Sequence, residues 1–269
     1  MIKALFFDID GTLLTSSGRM SQKTKEVLKA CREKGIKIFI ATGRPPLLSK
    51  MLELDADEQE IVKDGGVFYN GGCIRLNEVN HYTFLSDEAV VKCVEAILPF
   101  EEVNIVVQME NDNHSFRHGL KDEEYVEWGV DKNQLIAFAN KNFTRVIKIL
   151  FLLPNHLSLA VVDKLRASVG AQANVYSYNG GDWRLVEVVD REANKMLGIK
   201  RTADIFGWDY DEIAVFGDDF NDVEMLGGFK NSFAMGNACD EVKSHAGNVT
   251  LSNNEDGIYH ALTQVLKVV

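Results

Sequence analysis

The sequence predicts an α/β protein: a doubly wound parallel sheet whose two halves are separated by an inserted α+β segment. Three observations carry that expectation. Short, wholly apolar runs near both ends, such as Ala4-Leu5-Phe6-Phe7 and Ile213-Ala214-Val215-Phe216, read as strands buried on both faces, with amphipathic stretches alternating between them. Those runs close in turns dense with Asp, Gly and Thr. The middle of the chain, 81–189, mixes helices with hairpin-forming strands, the texture of an α+β insertion between 1–80 and 190–269.

Taken in order, Ile2–Phe7 is the first strand. Ser21 is a natural N-cap and Gly35 a C-terminal stop for a helix near Ser21–Lys34. Ile36–Ala41 is a second buried strand, ending in Thr42-Gly43-Arg44. Pro45 and Pro46 open another helix, where the missing N–H is tolerated. The acidic stretch Glu53–Glu60 reads as a solvated helix end and loop. Ile61–Val62 and Val67–Tyr69 read as short strands before the turn Asn70-Gly71-Gly72. In the insertion, Ser86–Leu98 and Asn155–Ser168 read as helices, and Val103–Met109, Val146–Leu153, Asn174–Tyr178 and Trp183–Val188 as strands. A helix near Arg191–Phe206 then leads to strand Ile213–Phe216, helix Val223–Leu226, strand Ser232–Met235, helix Asp240–His245, strand Asn248–Thr250 and a final helix.

The 269 residues, 46% of them hydrophobic, suffice for one large core or two smaller ones. A net charge of −11 argues against general nucleic-acid binding, which needs a basic face. The cysteines Cys31, Cys73, Cys93 and Cys239 form no CxxC pair and read as reduced thiols. No stretch approaches the roughly 20 apolar residues of a membrane span, and Met1-Ile2-Lys3 leads into a strand without a signal-peptide pattern. The expectation is a cytoplasmic protein, a monomer or weak homodimer.

The strand ends carry the candidate chemistry. Asp8-Ile9-Asp10-Gly11-Thr12 delivers two carboxylates to the end of a buried strand, where burial and mutual repulsion both disfavour them. A divalent cation, which prefers hard oxygen ligands, would offset that repulsion. In an open parallel sheet, ligands bind outside the carboxyl ends of the strands. Three loaded turns, Asp8–Thr12, Thr42–Arg44 and Gly217–Asp222, would meet there. Such parts fit phosphoryl transfer: a nucleophilic carboxylate, a second for acid/base work, a hydroxyl and a lysine for phosphate oxygens.

With Lys195, these motifs resemble, in order, the four motifs of the haloacid dehalogenase superfamily, and most closely its Cof-type hydrolases with a type-IIB cap. The stretches Ala234-Met235-Gly236-Asn237-Ala238 and Asn254-Glu255-Asp256-Gly257-Ile258 are similar to that subfamily as well. The resemblance implies a Rossmann-like core with the insertion as a substrate-selecting cap, and a Mg²⁺-dependent phosphatase whose partner is a small phosphorylated metabolite. A sugar phosphate is the leading substrate class. A hexose phosphomutase-like phosphotransferase and a non-catalytic ligand-binding regulator are the rivals.

Residue by residue, the resemblance makes Asp8 the nucleophile and a metal ligand. Asp10 becomes the acid/base group, with its backbone carbonyl on the metal. Ile9 (through its N–H), Thr42, Gly43, Lys195 and Asn221 become phosphate contacts. Asp218 becomes a further metal ligand and Asp222 a support of the metal shell. Motif three departs from the usual Ser-Lys-Gly, reading Asn194-Lys195-Met196. Arg44, with the insertion residues His114, Arg117 and His118, forms a second tier of candidate substrate contacts.

Overall fold

The computed structural model describes residues 1–138 and 143–269. In chain order it contains β1 (Ala4–Phe7), α1 (Gln22–Glu33), β2 (Lys37–Ala41), α2 (Leu48–Met51), α3 (Ala56–Ile61), β3 (Gly65–Phe68), β4 (Cys73–Leu76) and β5 (Val79–Tyr82). There follow α4 (Asp87–Ile97), β6 (Asn104–Met109), β7 (His114–Phe116), α5 (Glu124–Trp128), β8 (Val146–Pro154), α6 (Ser158–Val169), β9 (Ala173–Asn179) and β10 (Trp183–Asp190). The chain closes with α7 (Lys195–Phe206), β11 (Ile213–Gly217), α8 (Val223–Gly228), β12 (Asn231–Ala234), α9 (Asp240–Lys243), β13 (Asn248–Val249) and α10 (Gly257–His260). Two compact units result, one of Met1–His81 with Asn194–Val269 and one of Tyr82–Ala193.

The first unit is built on a sheet of order β13-β12-β11-β1-β2-β3-β4-β5. From β13 to β3 the pairs are parallel, and β4 turns antiparallel to β3. Strand order runs outward in both directions from the β11–β1 pair, so the crevice at their carboxyl ends is the place where a ligand can enter. β1 is wholly buried because helices cover both sheet faces. Phe6 stacks on Phe39 at 4.8 Å on the face that holds Ile199 and Met225. On the other face Phe7, Phe216 and Phe233 form a ladder at 4.7 and 4.9 Å. Each such ring contributes roughly 1.5–3 kcal/mol by burial. The ladders therefore fix the strand register that aligns the ends of β1 and β11.

The second unit is a five-stranded antiparallel sheet of order β7-β6-β8-β10-β9. One face packs under α4 and α6, with Val94, Ile97, Val161 and Leu165 against Val107, Ile149, Phe151 and Val188. Ser86 caps α4 through a bond from Ala89 N, as its position predicts.

Three local expectations are corrected. Pro45-Pro46 does not open a helix: a residue preceding proline is pushed out of the α region, and the one helical turn starts at Leu48. Ile61 ends a helix instead of forming a strand, because Asp55 and Glu58 make a reciprocal capping box at its start. Glu58 is not solvated either. It is fully buried, accepting from Arg19 Nε at 3.0 Å and Met20 N at 2.9 Å. Among the described residues no helix is long and apolar enough to cross a membrane.

Candidate active site

The site assembles at the carboxyl ends of the parallel strands of the first unit. The chain leaves β1 through Asp8, and Leu13 N and Leu14 N bond back to the carbonyls of Asp8 and Ile9. Gly11 turns at φ +79°, and a Cβ there would lie 2.2 Å from Asp218 Oδ2, so the turn and the close approach both demand glycine. Thr12 Oγ1 donates to Asp218 Oδ1 at 2.6 Å, joining the β1 turn to the β11 turn. At the end of β11, Gly217 leaves room for the Asp222 carboxylate, which a Cβ would meet at 2.5 Å. Asp222 Oδ2 accepts from the amides of Asp218 and Asp219, closing that turn.

Lys195 is the first residue of α7, whose Asn194 cap accepts from Leu197 N at 2.8 Å. A cation at a helix N-terminus opposes the helix dipole. It is held there because Nζ lies 2.6 Å from Asp8 Oδ1 and 2.7 Å from Asp222 Oδ1, with both side chains buried. Burial works against the Lys195 charge, yet Asp222 and Asp8 outweigh it and hold the ammonium above its ordinary pKa. For Asp8, burial raises the pKa well above the carboxylate range; Lys195 opposes the rise, and Asp222 and Asp218 add repulsion. Burial likewise lifts Asp218 to about 7, against the bond from Thr12 and with repulsion from Asp222 and Asp219.

The ligand atoms of Asp8, Asp218 and Asp222 lie within 4.8 Å of one another. Three hard, mutually repelling oxygen donors, two of them raised in pKa, match what a divalent cation such as Mg²⁺ requires. The Asp10 side chain is not in that set. It turns to Arg44, whose Nε and Nη2 reach its two oxygens at 2.7 and 2.9 Å.

Thr42 is buried at the end of β2 and accepts from Arg44 N at 3.2 Å. Gly43 follows it, and a Cβ there would press on the Asn70 amide at 3.1 Å. Asn221 Nδ2 donates to Asn70 Oδ1 at 3.1 Å, so the turns after β2, β3 and β11 meet. Asp8, Asp10, Thr42, Gly43, Arg44, Lys195, Asn221, Asp218 and Asp222 thus converge in one unit, with Ile9 buried between the two strand-end carboxylates.

Two residues complete the cluster beyond those picked out from sequence for roles. Asn70 sits at φ +53°, and its neighbour Gly71 approaches the Asn194 backbone so closely that a Cβ would lie 2.4 Å from its carbonyl oxygen. Asn237, on the turn after β12, donates to Gly11 O at 2.9 Å and to Asp218 Oδ2 at 3.2 Å. The signal for both was the Asn-Gly and Gly-Asn pairs at strand ends.

The second-tier residues of the other unit do not form a cluster of free polar groups. His114 is fully buried; Nδ1 donates to Asp112 O at 2.8 Å and Nε2 accepts from Gln108 Nε2 at 3.0 Å. Burial outweighs the Asp112 bond and lowers its pKa to about 4, so the ring is a neutral core group. Arg117 spends its guanidinium on the carbonyls of Leu98, Phe100 and Val103 beyond α4. His118 Nε2 is bonded to Glu101 O at 3.0 Å.

Residues 5–262 match the family model described as haloacid dehalogenase-like hydrolase. The chain is similar to the 5-amino-6-(5-phospho-D-ribitylamino)uracil phosphatases YitU and YwtE of Bacillus subtilis. It is 24% identical to YitU, covering 96% of this chain and 95% of that protein. To YwtE it is 25% identical, with 98% of each covered. Among solved structures, the HAD subclass IIB sugar phosphatase BT4131 superposes with a TM-score of 0.82 at 27% identity, covering 99% of this chain and 100% of that one.

Proposed function

From the chain's membership of the haloacid dehalogenase-like hydrolases, we propose that it is a Mg²⁺-dependent phosphatase that hydrolyses the phosphate ester of a small sugar or sugar alcohol through an aspartyl-phosphate. The observation that carries this reading is the buried junction of Asp8, Lys195, Asp218 and Asp222 at the ends of β1 and β11. It supplies a nucleophile, a fixed cation and an oxygen ligand set within one cluster. The ligand-related support is the named substrate of two relatives, a phosphorylated ribityl group, and the sugar phosphatase among the structural neighbours.

Asp8 attacks phosphorus. As the Asp8 O–P bond forms, the bond to the leaving oxygen breaks, and that oxygen takes a proton from Asp10. Asp10, now a carboxylate, removes a proton from water, which attacks the aspartyl-phosphate and returns Asp8. Lys195 keeps Asp8 oriented and offers positive charge to a phosphoryl oxygen, with the Thr42 hydroxyl and the amides of Ile9 and Gly43 as further donors. Asp8, Asp218 and the Asp10 carbonyl would hold Mg²⁺, with Asp222 behind them; when bound, it neutralises phosphate charge. Asp222 would support that ligand set from a fixed position, its oxygens already engaged by Lys195 and two amides. The unit Tyr82–Ala193 is read as the type-IIB cap that selects the leaving group.

Phosphate release from a panel of sugar and polyol phosphates, with Mg²⁺ and with EDTA, tests the reading. Mg²⁺-dependent release supports it. Isomerised product without net phosphate, or tight binding without turnover, would replace it with a mutase or a regulator.

A further inference from the structure

Asp10 differs from the rest of the site. Its side chain is 60% exposed, whereas those of Asp8, Lys195 and Asp222 are buried. An exposed carboxylate left alone samples several rotamers. Proton transfer, by contrast, needs it held within hydrogen-bond reach of one oxygen. Among the described residues, the bonds its carboxylate makes are the two from Arg44, Nε to Oδ2 at 2.7 Å and Nη2 to Oδ1 at 2.9 Å.

Arg44 is itself braced. Its amide donates to Thr42 Oγ1 at 3.2 Å and its carbonyl accepts from Tyr69 N at 3.0 Å, so the loop after β2 is tied to the turn after β3. The Arg44 side chain is 31% exposed, and the bond of its guanidinium to Asp10, opposed by burial and reinforced by the charges of Asp10 and Asp8, keeps it protonated.

We infer that Arg44 is the positioning residue of Asp10, a planar fork that spans the ends of β1 and β2 and fixes the plane of the carboxylate that serves the leaving group. The inference rests on Asp10 being the acid/base group. A guanidinium can define a carboxylate plane through two parallel bonds, which a lysine, a point charge on a flexible stem, cannot. Each Asp10 oxygen gives one lone pair to the fork and keeps another for a proton, so the clamp orients the group without blocking it.

The role has a signature that simple phosphate binding lacks. An alkyl alcohol leaves only with a proton from Asp10, whereas p-nitrophenolate leaves as a stable anion. The ratio kcat/KM reports the steps through phosphoryl transfer to Asp8. In Arg44→Met and Arg44→Lys, kcat/KM for ribose 5-phosphate should fall by about tenfold or more, because even small misplacement of a reacting group is costly. For p-nitrophenyl phosphate it should change by less than about threefold. Equal losses on both substrates, or no loss on either, would overturn the inference, as would full activity of Arg44→Lys on the sugar phosphate. Crystal structures of wild type and Arg44→Lys give a readout independent of turnover. A displaced or multiply oriented Asp10 in the variant supports the clamp, and an unchanged Asp10 refutes it. Wild type silent on both substrates with Mg²⁺ would defeat the phosphatase reading instead, and the structures would still decide the clamp.

Discussion

Lys195 Nζ lies 2.6 Å from Asp8 Oδ1 with its side chain fully enclosed, and the same ammonium reaches Asp222 at 2.7 Å. One buried cation thus fixes the end of β1 to the turn after β11. Removing one partner of a buried ion pair strands the other charges, at about 3–5 kcal/mol. Lys195→Met should therefore lose stability of that order, read as a drop in the urea midpoint, together with turnover. A loss below about 1 kcal/mol would show that the two carboxylates do not depend on this cation.

Thr12 acts on the same corner from outside the proposed ligand set. Its hydroxyl holds Asp218 Oδ1 at 2.6 Å, and Asn237 holds the other oxygen at 3.2 Å. Partners that orient a metal ligand are typically worth 10–100-fold in metal affinity. Thr12→Val should raise the half-saturating Mg²⁺ concentration for phosphate release by about tenfold. An unchanged Mg²⁺ dependence would remove Asp218 from the ligand set or Thr12 from its support.

Much of this corner was legible because the chemistry is contiguous in sequence. Asp8–Thr12 and Gly217–Asp222 each follow a wholly apolar run, so strand, turn and carboxylates are read together. Groups whose meaning depends on a distant partner were not legible. Glu58 looks like one more surface acid until Arg19, 39 residues away in sequence, folds over it. Asn237 acquires its place only when the turn after β12 meets Gly11, 226 residues earlier. His114, Arg117 and His118 cluster in sequence, but strand alternation sends the first into a core and the next toward the carbonyls beyond α4. The short pair β4 and β5 offered too few residues for a period-two pattern to stand out.

His114 makes a prediction about pH. An unfolded imidazole gains its proton as pH falls through 6.5, the ordinary value, whereas the buried ring gains it only near 4. For this group the unfolded state binds more protons between those values, so its contribution to stability rises with pH. The contribution is complete above 6.5 and is lost as pH falls toward 4, amounting to about 3 kcal/mol. Asp8 and Asp218, both raised by burial, tilt the urea midpoint the opposite way in both proteins, so the comparison isolates the ring: as pH drops from 6.5 toward 4, the wild-type midpoint should fall relative to that of His114→Gln. Parallel slopes in the two proteins would mean that His114 is not held neutral.

The central claim is that Asp8 carries the phosphoryl group, and acid quenching during turnover with Mg²⁺ tests it most directly. Peptide mapping by mass spectrometry should find a phosphoryl group on the peptide bearing Asp8, and Asp8→Asn should show neither that adduct nor phosphate release. Sustained phosphate release by Asp8→Asn would contradict the account.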